Sequence, residues 1–222
     1  AKQENCVASV NAGVIPPLLG LLKDEDQTVR ETALDALTYL ADVKFSRDIL
    51  LDTDAIRNLK EVVDDPSVVA QVNTFRVMER LGKEPRGCVV LAEGCVYLFI
   101  RKAALGENEV KEAALYALKR AITVQGCGEV AINEHIMAVL AQIAASKECR
   151  ERPSLLTICC DVTALLAFLP VGMYEAVHRR IVYSLLEFLT HPDTKLREQA
   201  LNALTQITIC KEGKIQCLEY ES

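Results

Sequence analysis

The sequence predicts an all-α solenoid, a stack of helical units in which each unit packs on its neighbours. One motif occurs three times. Val29-Arg30-Glu31-Thr32-Ala33-Leu34-Asp35-Ala36-Leu37 reappears as Val110-Lys111-Glu112-Ala113-Ala114-Leu115-Tyr116-Ala117-Leu118, then as Leu196-Arg197-Glu198-Gln199-Ala200-Leu201-Asn202-Ala203-Leu204, at offsets of 81 and 86 residues. Degraded copies with the same apolar spacing lie between them, at Ala70 to Met78 and Leu155 to Thr163. Five copies thus follow one another at steps of 41, 40, 45 and 41 residues. A period near 40 made only of helical patterns is the mark of an α-solenoid.

The elements follow in order. Ala1 to Cys6 reads as the end of one unit, leading into a short helix Val7 to Val10 and the turn Asn11-Ala12-Gly13. Val14 to Leu22 carries apolar residues at helical spacing, with Pro16 and Pro17 in the first turn, where a missing amide hydrogen costs nothing. The acidic break Lys23-Asp24-Glu25-Asp26 suits the dipole of the next helix, expected from about Gln27 to Ala41. In the second unit, helices are expected over Asp54 to Val63 and Val68 to Leu81, with Asp64-Asp65-Pro66-Ser67 as the turn. The third places helices at Val96 to Ala104 and Glu109 to Ile122, the fourth at His135 to Ala144 and Ser154 to Phe168. The fifth has Arg180 to Leu189 and Thr194 to Thr208, and Glu212 to Leu218 opens a sixth. One departure from the period, Ala145 to Pro153, reads as a polar surface loop that delays the fourth long helix by five residues.

Asn11 to Leu22 and Val29 to Ala41 together resemble an armadillo repeat: Ala-Gly-x-Ile-Pro-Pro-Leu-x-x-Leu-Leu, a charged turn, then Val-x-Glu-x-Ala-x-x-Ala-Leu-x-x-Leu-Ala. The resemblance implies an armadillo/HEAT-like right-handed superhelix of about five three-helix repeats (H1, H2 and H3), with H3 lining a groove. The repeats are expected at about 6–47, 48–87, 88–128, 129–169 and 170–211, with a partial sixth at 212–222, in one solenoid over 1–222. Both ends then fall inside a unit, uncapped, so the chain is expected to belong to a longer array or to dock its ends on other chains. The Ala-Gly-x-Ile-Pro run and Glu212-Gly213-Lys214 are also similar to armadillo components of ciliary radial spokes, which implies a structural part of the axoneme.

Composition narrows the function. A net charge of −6 argues against a general nucleic-acid or membrane-surface binder. No run reaches the ~18 uninterrupted apolar residues of a membrane span. No secretory signal is visible, although the chain also begins without a methionine. Of the nine cysteines, Cys159 and Cys160 stand at the repeat positions of Ala33 and Leu34, and Cys88, Cys95 and Cys210 sit in or beside apolar runs; an odd count used as small hydrophobes indicates a reducing compartment. There is no C-x-x-C pair, and His135, His178 and His191 are scattered, so no metal, cofactor or catalytic constellation is expected. Gly126-Cys127-Gly128 lacks the Lys-Ser/Thr of a phosphate loop.

The expected function is a non-enzymatic protein-binding scaffold, either a structural subunit of a larger assembly or a soluble adaptor, catenin-like or carrier-like, that holds an acidic extended peptide. A regulatory subunit of an enzyme complex is the third reading. Armadillo proteins that carry nuclear localisation signals present a Trp and, four residues on, an Asn from each H3. The matching positions here are Asp35 and Tyr39, Arg76 and Arg80, Tyr116 and Arg120, Asp161 and Leu165, Asn202 and Gln206. They hold no Trp, and no Asn at the second place, which argues against an importin-like carrier. Instead Arg76, Arg80, Lys119 and Arg120, with Tyr116 among them and Tyr39 beside, suggest a basic and aromatic partner-binding centre. Glu79 and Glu112 are the carboxylates that could neutralise it. Lys147, Arg150 and Arg152 in the long loop form a second candidate contact. The partners expected are proteins, not nucleic acid, membrane or a small-molecule substrate, in the cytoplasm, the cytoskeleton or the axoneme.

Overall fold

A computed structural model describes residues 2–220, with the backbone alone of Lys2 and Gln3. Among the described residues it contains sixteen α-helices and one 3-10 turn, and no strand. Two short helices and a long one recur. They are α1 (Lys2–Asn11), α2 (Ile15–Leu21) and α3 (Gln27–Leu40), then α4 (Lys44–Asp52), α5 (Ala55–Glu61) and α6 (Val68–Leu81). Next come α7 (Pro85–Gly94), α8 (Val96–Leu105) and α9 (Asn108–Ala121). After α10 (Cys127–Asn133) and α11 (Ile136–Ala145), the 3-10 turn Cys149–Glu151 leads into α12 (Pro153–Ala167). The series ends with α13 (Pro170–His178), α14 (Ile181–Phe188), α15 (Thr194–Ile207) and α16 (Lys211–Tyr220).

The expected second and third helices appear within a residue or two of their places. The opening differs. Lys2 to Cys6 are the start of α1, continuous with the expected short helix, and do not close an earlier unit; Ala1, Glu221 and Ser222 lie outside the described residues.

Local chemistry sets the long helices. Asp26, Ser67 and Asp193 stand in extended backbone before α3, α6 and α15, and their side chains accept from the amides of Thr28, Ala70 and Leu196. Each satisfies one of the amides a helix start leaves open, an effect of about 1 kcal/mol. Pro85, Pro153 and Pro170 open α7, α12 and α13. At three of the five corners before a unit's second helix the backbone turns left-handed, through Gly13 at φ 79°, His135 at 64° and Arg180 at 58°; Asp54 and Cys95 make the other two with negative φ.

Of the first helices after the long ones, α4, α7, α10 and α13 were implied by the resemblance alone, whereas α16 falls where Glu212 to Leu218 was expected to open a sixth unit. What seats them is a small buried residue: Ser46, Gly87, Gly128, Gly172 and Gly213. A side chain at Gly87, Gly172 or Gly213 would collide with the carbonyl oxygen of Leu81, Leu166 or Ile207 at the end of the preceding long helix.

The chain divides into two compact units, one running to Phe99 and including Tyr116–Val124, the other Ile100–Leu115 with everything from Gln125 on. In the first, α3 packs along α6 and α2, with Leu34, Leu37, Phe75, Val77 and Met78 fully buried. Phe75 meets Phe99 edge to face, ring centres 6.0 Å apart. In the second, α12 is the central helix, packed on α15, α13 and α11, and its Cys159 and Cys160 are buried.

Candidate protein-binding surfaces

Each long helix turns an Ala/Leu stripe inward, which leaves the positions between those residues facing outward. In the first unit Tyr39 is 48% exposed and Tyr116 40%, and Arg76 is exposed while its neighbours Phe75 and Val77 are fully buried. Aromatic and arginine side chains held out of the core in this way are the residue types that carry binding energy at interfaces.

The arginines are not a bare cationic cluster. Arg80 donates from Nε to Asp42 Oδ1 at 2.6 Å. Arg120 donates from Nε and Nη2 to Glu79 Oε1, at 2.9 and 2.6 Å. Arg76 Nη1 reaches Asn73 Oδ1 at 3.1 Å, and Lys119 is half-buried on the same turn as Arg120. The expected neutralising role falls to Glu79, whereas Glu112 accepts from Ser154 Oγ at 2.8 Å instead. Sequence reasoning missed Asp42, which lies 38 residues from Arg80 and becomes its neighbour only through the stacking of α3 and α6. Of the expected centre, Tyr39, Arg76 and Tyr116 are exposed, whereas Arg80, Lys119 and Arg120 are half-buried.

Two clefts lie along the outward rows. One, of about 660 Å³, is lined in the first unit by Asn5, Ser9, Val14, Leu18, Ala36 and Tyr39. The other, of about 300 Å³, lies between α12 and α15 and is lined by Asp161, Leu165, Phe168, Asn202 and Gln206. Its Phe168 is 65% exposed.

The long loop is partly wound. Cys149 is buried beneath it, its Sγ 3.5 Å from Asn108 Oδ1. Arg150 pairs with Glu187 and Arg152 with Glu109, while Lys147 stands exposed.

Burial pushes Cys95 and Cys127 up to about 11 and Cys159 up to about 12, far from the thiolate a nucleophile needs. Among the described residues no three metal-ligating side chains gather, and no helix is long and apolar enough to cross a membrane.

Residues 2–42 match the family model of the Armadillo/beta-catenin-like repeat. No curated protein matches the chain. Among solved structures, an engineered protein from the Northeast Structural Genomics Consortium superposes with a TM-score of 0.82 at 19% identity, over 93% of this chain and 84% of its own. The designed armadillo repeat protein YIII(Dq)4CqI gives 0.79 at 17%, over 92% and 87%. A related design, YIII(Dq.V1)4CPAF, solved in complex with the peptide (KR)4, gives 0.79 at 17%, over 92% and 86%. At such identities the likeness is one of fold.

Proposed function

We propose that this armadillo-repeat chain is a non-enzymatic scaffold that binds other proteins through the outward rows of its long helices. The observation that carries the reading is the row itself: Tyr39, Arg76 and Tyr116 stand out of a core that has no need of them. A designed protein of the same fold, solved in complex with the peptide (KR)4, supports it. Here the ligand we favour is an acidic extended segment, met by the guanidinium of Arg76 and the ring of Tyr116. Capture of partners from cell extract tests this. Arg76→Glu with Tyr116→Ala should lose partners that the wild type retains at low salt and releases at high salt. Arg80→Glu and Arg120→Glu should matter less, because Asp42 and Glu79 already engage those groups. Undiminished capture by the Arg76/Tyr116 double variant would sink the reading.

A second reading, a structural subunit built into a larger assembly, is favoured by the apolar residues Leu201, Ile209 and Leu218, exposed by 56%, 64% and 69%. The ciliary axoneme is proposed as that assembly on the resemblance alone. The residues behind it have local duties: Gly13 turns left-handed at φ 79°, and Gly213 seats α16 against Ile207. Immunolocalisation checks it, a diffuse signal outside cilia counting against the axoneme.

A further inference from the structure

One flank of the second unit is apolar where its packing needs no apolar surface. A cleft of about 440 Å³ lies there between α13 and α16, walled by Pro170, Met173, Tyr174 and Val177. Gln216 Nε2 donates to the Val177 carbonyl at 2.8 Å, which ties α16 to α13 beside it. Tyr174 is 64% exposed, and its ring stacks with that of His178, centres 6.1 Å apart and planes 15° from parallel. Following helices do not cover such a flank. With Gly128 set on Gly172, the matching residues of α10 are Gly126, Glu129, Val130 and Asn133. All four stay exposed, although α13 packs alongside and three more helices follow it. In α10 this face is mostly small or polar; in α13 it is apolar throughout.

Two charged groups stand at the cleft, Arg180 and Glu212. Among the described residues no carboxylate meets Arg180, whereas its neighbour Arg179 is held by Glu175 at 3.2 Å. Arg180 sits at φ 58°, in the left-handed region where a Cβ costs backbone energy and a glycine, such as Gly13 at the first corner of this kind, does not. The chain thus keeps an arginine where glycine would be less strained, and strain of this sort collects at ligand clamps.

We infer that the cleft takes an aromatic side chain of a partner protein, from a segment that carries one carboxylate next to the ring. The ring packs on the face of Tyr174, the thioether of Met173 and the edges of Pro170 and Val177, the contacts aromatic groups favour. Arg180 takes the carboxylate. Glu212, exposed on the α16 side, repels a second one, so the segment is a single aromatic–acidic pair and not an acidic run. That separates it from the ligand of the outward rows.

The chain has no tryptophan, so a tryptophan probe reports its own binding by fluorescence. Acetyl-Gly-Trp-Asp-Gly-amide titrated with the whole chain should show a saturable blue shift, weakened about fivefold by Tyr174→Ala and by Arg180→Gly. Both positions are exposed, and circular dichroism checks that the variants fold. Arg180→Gly should at the same time raise the melting temperature, because it relieves the corner; a fall would make Arg180 a structural residue and overturn its role. The peptide with Lys in place of Asp should bind Arg180→Glu about fivefold better than it binds the wild type. Arg76→Glu with Tyr116→Ala should leave the titration unchanged, so that failure here and failure of the outward rows are told apart. No saturable shift, or undiminished binding by the Tyr174 and Arg180 variants, overturns the inference. So does displacement of the peptide by octanoate at lower concentration than the peptide itself requires, since the occupant would then be an acyl chain. A doubling of sedimentation mass without peptide that Tyr174→Ala abolishes overturns it too, in favour of a second copy.

Discussion

Helices α3 and α15 start from nearly the same residues and end in different surroundings. Their inner faces agree: Ala33 and Ala200 are buried, as are Leu37 and Leu204. Their outer faces do not. Leu34 is fully buried beside α6, Leu201 lies more than half in water, and Arg30 holds a carboxylate that Arg197 lacks. A repeat motif therefore fixes which residues face the unit's own core. It does not fix which face a neighbour covers, because that depends on the helix laid alongside.

The comparison breaks first at the shared face. Ala200→Arg should unfold its unit, a loss above ~3 kcal/mol in a denaturant titration, because a fully buried alanine leaves no volume for the side chain. An unchanged midpoint would mean that α15 is wrongly placed. Next in size is the contrast of the two leucines. Leu34→Ala should cost roughly 2–5 kcal/mol, through lost burial and a cavity, and Leu201→Ala about 0.5 kcal/mol or less. Equal costs would show that Leu201 is covered in solution.

The smallest effect is electrostatic. Bonds from Ser67 first, then Gln27, hold Glu31 below the usual carboxylate range. Burial pushes Asp65 up, but its bonds from Arg30 and the Ser67 amide outweigh that and leave it lowered. Groups with a folded value below the unfolded one stabilise the fold above about pH 4, and that contribution fades as pH falls through the lowered value. Arg30→Ala should accordingly reduce the melting temperature at pH 7 more than Arg197→Ala does, with the gap closing below about pH 4. A gap independent of pH would assign the loss to packing.

The exposure of the candidate residues was legible because it follows helical phase. Tyr39, Arg76 and Tyr116 stand outward where the spacing puts them. Their electrostatics were not legible: the partner of Arg80 lies 38 residues away, and the loop around Lys147 is anchored by the buried Cys149, which the sequence read as part of a polar stretch. Such pairings arise from stacking, and no spacing within one helix encodes them.

The sequence by itself determined that the chain is all helix, where the long helices run, and which stripe of each is apolar. These follow from local hydrogen bonding, caps and a 3.6-residue period, all written within a dozen residues. Only the tertiary structure decided that Gly87, Gly172 and Gly213 are contact points between successive helices, that Arg80 and Arg120 are paired, and that Leu201 is bare while Leu34 is buried. Burial and charge pairing are properties of two surfaces brought together, and the second surface comes from residues about 40 positions away.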